Sequence, residues 1–322
     1  MSVTGATANI AASRERSIDR LGDLVLRGLC VGAALLGIVV ILLIAYQVID
    51  GSTQAISKFG LGFLGHSRWA PNFDVLGAGA LLYGTVVSSV MALVLATPLG
   101  IAIGLFLALM APGRVRSVVG PLVEMLAAIP SVILGFWGLL VFAPALQSAE
   151  PTIHAVLGWL PFLGSAQTTG LSYFTAGLVL TIMVIPIVAS ISRDLFLTVP
   201  RELQEGAAAL GATPWEVIRG VILPTTVSGL ASAAVLGLGR ALGEAIAVTA
   251  VIGGADVLHP HLLQTGDTLA SKIAEQFAGV INPLNQSAIF YLASILLVIA
   301  ILANLAAHAI TRRFAATGLV TS

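Results

Sequence analysis

Lysine occurs twice in 322 residues, at Lys58 and Lys272, and charged residues of all kinds make up 9% of the chain. Ordinary soluble domains carry about 25%, so an extensive water-solvated surface is excluded. The 15 basic and 15 acidic side chains cancel to a formal net charge of zero, which removes the strongly basic face that nucleic-acid phosphates demand. A single cysteine, Cys30, excludes an intrachain disulfide framework. A phosphate-cradling Walker loop needs Gly-Lys followed by Ser or Thr, whereas each lysine here follows Ser. No ATP site of that kind, and no bound cofactor, is expected on this chain. His259 and His261 flank Pro260 without a cysteine or carboxylate cluster at zinc-like spacing, so no metal site is expected.

What is abundant is apolar: 57% of residues are hydrophobic, against about 45–50% in soluble domains. Windows of about 20 uncharged apolar residues mark membrane-spanning helices, and six are found, at Gly28–Ile49, Leu82–Met110, Val119–Phe142, Tyr173–Ser192, Val227–Gly253 and Ala288–Ile310. The chain is therefore expected to be an all-α membrane protein with the lipid bilayer as solvent. The second window belongs to uncharged sequence reaching from Val75 to Gly113, longer than one crossing needs. Tilt, an interfacial turn, a re-entrant segment or a kink at Pro98 must absorb the excess.

Lys and Arg in short loops favour the cytoplasmic side. Eleven arginines fall before span one, between spans two and three, between four and five, and after six; Lys58, Arg68 and Lys272 fall in the opposite loops. Both termini are expected in the cytoplasm, which requires an even number of spans. The organisation read from this is a cytoplasmic tail (1–27), an anchor helix with the first outer loop (28–75), a transmembrane domain (76–313) and a C-terminal tail (314–322). The first apolar run is full length and reads as a retained anchor, not a cleaved signal peptide.

The longest cytoplasmic connection, "TVPRELQEGAAALGATPWEVIRGVILP" (198–224), carries the punctuation of two short helices. Pro200, Glu202 and Glu205 suit a first helix start and Gly211 its stop. Thr213, Pro214 and Glu216 fit a capping box opening the second. Arg201 and Arg219 are balanced by Glu202, Glu205 and Glu216, so a DNA-reading helix pair is excluded. Two capped helices between two spans suit a docking knob that transmits force.

In "LGLGRALGEAIAV" (236–248), Arg240 and Glu244 stand inside the fifth apolar window. A charge at the bilayer centre costs about 2.5–3.5 kcal/mol on insertion scales, so such residues are functional candidates by default. Four residues apart, they are expected on one helix face, within pairing reach. Two roles fit: a salt bridge that fixes helix packing beside the small residues Gly237, Gly239 and Gly243, or an oxyanion site on a transport path. The Arg fork matches phosphate oxygens, and the Glu carboxylate accepts the proton that hydrogen phosphate carries and sulfate lacks.

Glu124, near the start of span three, is expected to reach the membrane edge or to pair with Arg114 or Arg116, with a gate role as the alternative. Pro98, Pro130 and Pro186 fall within spans, where they bend helices or free carbonyls beside a cavity. Residues 144–170 hold no Lys or Arg and read as a connector, a short interfacial helix or a docking rim.

Two of these stretches carry a resemblance. "EGAAALG", nine residues, then "VILP" resembles the cytoplasmic motif of ABC importer permeases: Glu205, Ala207, Gly211, Leu223 and Pro224 match, while Gly206 stands for the usual Ala and Val221 for Ile. "GLGRALGEAIAVTAVIGG" resembles the fifth-span signature of the PstC family of phosphate-specific permeases, with Ala245 for the usual Thr and Gly254 for Asn. "LLYGTVVSSVMALVLATPLGIAIGLFLA", "AAIPSVILGFWG" and "DTLASKIAEQF" add to it. The resemblance implies a type I, MetI-like importer permease. It implies a PstA-like second permease chain, a PstB-like ATPase dimer that binds ATP and Mg, and a PstS-like extracytoplasmic binding protein. It assigns Arg240 and Glu244 to the substrate path and Glu205, Gly206, Ala207, Gly211, Leu223 and Pro224 to ATPase coupling. A permease for another oxyanion or small solute, or a passive anion channel, is the alternative.

Overall fold

In the computed structural model, residues 4–159, 162–164, 169–280 and 282–317 are described. The ends of both tails, and residues 160–161 and 165–168 of the connector read at 144–170, lie outside them. The chain divides into two compact units, Met1–Asp50 and Gly51–Ser322. The first is one helix, α1 (Thr4–Gly51), which runs unbroken through residues 27 and 28. Its sequence contains no proline to interrupt the ladder, and from Leu29 to Ala45 it is apolar all round, as a helix with lipid for solvent must be.

The second unit opens with a short helix, Thr53–Phe59, and a helical turn, Gly62–Gly65. Residues 51–75 fold into it: Phe63, Trp69 and Leu76 share an apolar cluster with Leu269, Ile289 and Leu292. Next come α2 (Gly79–Leu105), which ends in a π-helical turn Phe106–Met110, and α3 (Gly113–Ala127). Helix α4 (Ser131–Trp137) passes through a π-turn, Gly138–Phe142, into α5 (Ala143–Leu157). Helix α6 (Tyr173–Leu197) follows. Then come α7 (Arg201–Ala209), α8 (Pro214–Val217), α9 (Leu223–Leu242), α10 (Ile246–Ile252), α11 (Leu269–Gln276) and α12 (Pro283–Thr317). Among the described residues, pairing outside helices is limited to isolated bridges such as Gly253 with Gly266. Among the described residues, six helical runs are long and apolar enough to cross a membrane.

Helix α6 is the hub of the second unit, with 61% of its apolar window buried. It packs against α2 through a stripe at every fourth position, Gly84, Ser88, Ala92, Ala96, Gly100 and Gly104, all buried. Small side chains let two backbones approach where lipid supplies no hydrophobic drive. The approach is close enough that a methyl on Gly100 would meet Val188 Cβ at 2.7 Å, and one on Gly104 the Ala189 carbonyl oxygen at 2.8 Å. Pro186 lies buried within α6, whereas Pro98, within α2, is exposed.

Two expected spans are redrawn. The third does not run from Val119 to Phe142: the chain leaves the helix at Ala128–Pro130, and the apolar run is Ser131–Ala149. Pro130 pushes the preceding residue out of the α region, and its own ψ of 134° is extended. The fifth does not run from Val227 to Gly253 but from Pro214 to Leu242. The second short helix of the 198–224 loop therefore has no separate end, because a π-turn at Ile218–Ile222 carries α8 straight into α9. Pro224 cannot donate to its i−4 carbonyl and its ring crowds it; the wider π-turn just before relieves both conflicts.

Candidate functional site

The break that ends the fifth span falls on the charged pair. Helix α9 stops at Leu242, Gly243 follows, and α10 starts at Ile246, so Glu244 stands in the gap and not on a continuous helix face. The pair forms nonetheless, Arg240 Nη2 lying 3.5 Å from Glu244 Oε2. Glu244 Oε1 accepts the Ala247 N–H at 3.3 Å and caps α10. One carboxylate thus neutralises the arginine and satisfies an orphan amide, and its remaining lone pairs stay available. The two side chains differ in access: that of Glu244 is 6% exposed and that of Arg240 44%. Arg240 lines a cavity of about 500 Å3 between α9 and α12, together with Ser232, Leu236 and Gly239 on one side and Ala303 and Asn304 on the other. Of the three small residues near the pair, Gly237 serves packing, since a methyl there would meet Val184 Cγ1 at 2.6 Å. Gly239 and Gly243 have no neighbouring helix within contact distance.

The loop at 198–224 presents a different chemistry. Thr213 and Glu216 form the reciprocal capping box: the Thr213 N–H donates to Glu216 Oε2 at 2.7 Å and the Glu216 N–H to Thr213 Oγ1 at 3.4 Å. Gly211 has φ +87°, a left-handed turn closed to most side chains. Glu205 and Gly206 are exposed on α7, Ala207 is half-buried, and Leu223 and Pro224 open α9. Beneath the turn, Val217, Ile218 and Ile222 are buried against Phe196 of α6 and Ala108 of the π-turn after α2. Above it, Leu203, Leu210 and Trp215 are exposed. The knob has an uncovered apolar cap and a base locked into the helix hub.

Glu124 pairs with neither Arg114 nor Arg116. Its Oε1 accepts from Arg193 Nη1 of α6 at 2.7 Å, while Arg116 donates to the Ala108 carbonyl at 2.6 Å. Gly120, one turn before Glu124 on α3, lets the Arg193 guanidinium pass. Arg193 had looked from sequence like a loop residue after a span ending at Ser192; α6 extends past it to Leu197.

Sequence reasoning missed a second charged cluster, around Lys272 of α11. Its Nζ lies 2.7 Å from Asp267, 3.1 Å from Asp256 and 3.5 Å from Glu275, and its side chain is 3% exposed. Asp267 also accepts the Thr268 N–H at 2.8 Å and the Ser271 hydroxyl. Burial alone opposes the lysine's charge, but the Asp267 and Asp256 carboxylates outweigh it and hold its pKa above the ordinary value. Burial, reinforced by Asp267, pushes the Glu275 carboxyl upward. The cluster closes the base of the loop between α10 and α11, where the Ala255 N–H donates to the Gly266 carbonyl and the Gly266 N–H to Ile252. The available signal was the rarity of lysine itself, one of two landing beside Asp267 within "DTLASKIAEQF".

Residues 100–316 match the family model described as "Binding-protein-dependent transport system inner membrane component". The chain is 39% identical over 306 residues to the phosphate transport system permease protein PstC of Mesorhizobium japonicum, covering 93% of this chain and 94% of that one. It is 42% identical over 270 residues to the PstC of Haemophilus influenzae, covering 83% and 85%. Among solved structures, that of the MetNI methionine ABC transporter, titled as inward facing, aligns with TM-score 0.52 at 23% identity over 73% of this chain and 96% of its own. A bacterial ABC transporter for import of the acidic polysaccharide alginate aligns with TM-score 0.54 at 20% identity, over 91% and 99%. These likenesses show the MetI-like fold of type I ABC importer permeases, and the curated relatives show more. The chain is a multi-pass membrane protein and belongs to the family of binding-protein-dependent transport system inner membrane components, in its PstC branch.

Proposed function

We propose that this chain forms half of the translocation path of an ATP-driven inorganic phosphate importer in a prokaryotic plasma membrane, with both termini in the cytoplasm. The observation that carries the reading is the Arg240–Glu244 pair, set at the helix break that ends an apolar span, with Arg240 lining a cavity and its side chain 44% exposed. A structural ion pair needs no access, whereas an anion site does. Hydrogen phosphate would exchange onto the Arg240 fork in a site of low dielectric. Glu244, already capping α10, accepts the phosphate O–H and repels sulfate, which has no proton to offer.

A PstA-like chain supplies the other half, a PstS-like protein delivers phosphate from outside, and a PstB-like ATPase dimer binds ATP and Mg. The exposed Leu203, Leu210 and Trp215 support docking of the ATPase on the knob. Because the base of the knob is packed on α6, a push there moves the hub helix against α9 and opens the path to alternate sides. The assembled complex, not this chain, hydrolyses ATP.

The test is uptake of labelled phosphate by vesicles holding the whole assembly, with wild type and Arg240→Gln compared at equal amounts of complex. Arg240→Gln is expected to lower uptake by about a hundredfold, the scale of a lost charge-assisted contact in a desolvated site. Uptake within twofold of wild type would overturn the assignment and return the pair to helix packing.

A further inference from the structure

The cavity does not end at Arg240. It follows α9 back to Ser232, roughly two turns or about 12 Å at 1.5 Å per residue. Its far wall is α12, where "LLVIAILANLAA" (296–307) contains one polar side chain, Asn304. Asn304 lines the cavity together with Ala300, Ala303 and Ala307, the face expected for positions three and four apart on a helix. A polar side chain in an otherwise apolar stretch of a span is costly and marks a path or a contact. Here it borders the same space as Arg240.

We propose that Ser232 and Asn304 form a second oxyanion station, which receives phosphate from Arg240 on its way along α9. This rests on the reading of Arg240 and Glu244 as the anion path. The Asn304 amide offers two N–H donors and one acceptor, so it can bind both an oxyanion oxygen and a phosphate hydroxyl. The Ser232 hydroxyl donates to the Ser228 carbonyl at 3.1 Å, which commits its proton and leaves its own lone pairs as acceptors. Hydrogen phosphate satisfies both acceptors in turn; sulfate satisfies neither, and each acceptor it leaves unmatched is penalised. The station carries no formal charge, so it holds the anion more weakly than Arg240 does. The step from charged to neutral donors is uphill and is driven by the ATP-powered change of the assembly; a weak later site then lets the ion leave without trapping it.

The experiment uses proteoliposomes containing the complete complex, each variant normalised to assembled complex, with labelled phosphate and labelled sulfate as probes. A path role predicts the order of phosphate turnover Asn304, then Asn304→Ser, then Asn304→Leu, then Asn304→Asp, because Ser keeps a donor, Leu removes it and Asp repels the anion. Asn304→Asp is expected to fall about tenfold or more in turnover, with the KM for phosphate unchanged because capture occurs upstream. A packing role, here or against a partner helix, predicts a different order: Leu and the isosteric Asp tolerated, and the cavity-forming Ser worst. That order, or an unchanged turnover in Asn304→Asp, overturns the station. Should Asn304→Asp fail to assemble, the Ser and Leu pair decides alone. Arg240→Gln run in parallel separates the claims. If it is inactive while the Asn304 variants transport normally, the station alone falls; if it transports normally, the underlying path reading falls as well.

Discussion

Replacing Lys272 by Met leaves Asp267, wholly buried, without its cation. Breaking a buried pair by removing one partner costs about 3–5 kcal/mol, because a charge remains in a poorly solvating site. Lys272→Met is therefore expected to lower the melting midpoint of the solubilised complex by on the order of 5–10 °C. The double variant Lys272→Met with Asp267→Asn should recover most of the loss, because the amide oxygen still accepts from the Thr268 N–H that Asp267 now holds. Thermal unfolding of the three proteins decides the matter. A double variant no better than the single would refute the reasoning that an uncompensated carboxylate is the cause.

Other expected outcomes follow from the same coordinates. Gly100→Ala puts a methyl 2.7 Å from Val188 Cβ, and is expected to cost about 1–3 kcal/mol by overpacking; an unchanged melting midpoint would show that α2 and α6 are not held this closely. Glu275 has a raised pKa in the folded state, so the stability its carboxyl contributes is present below the ordinary value of about 4.5 and is lost as pH rises through the raised value. Glu275→Gln should accordingly raise the midpoint at pH 7 and not at pH 4.5, and a midpoint lowered at pH 7 would show that its attraction to Lys272 outweighs its burial.

Much of the architecture was legible because lipid imposes a simple rule. Long uncharged runs satisfy their backbone within one helix, and six such runs are read where six membrane-length helices stand among the described residues. Capping chemistry is equally local, so Thr213 and Glu216 could be paired by spacing alone. Helix continuity was less legible. Pro130 breaks the third run whereas Pro98 and Pro186 are carried inside helices, and the difference lies in what surrounds each proline. Glu124 illustrates the same limit: two arginines stood close in sequence, and the partner came from α6.

By itself, then, the sequence determined the solvent, the number of spans, the pair of charges in the fifth apolar run and the capped knob between spans four and five, all consequences of composition or of contacts within a turn or two. Only the tertiary structure decided that the fifth span ends at Leu242, that Glu244 caps the next helix while holding Arg240, that Lys272 gathers three carboxylates, and that Asn304 borders the cavity at Arg240. These are choices among partners distant along the chain. Periodicity along one helix cannot select them, because they are set by which faces the packing of α2, α6, α9 and α12 leaves adjacent.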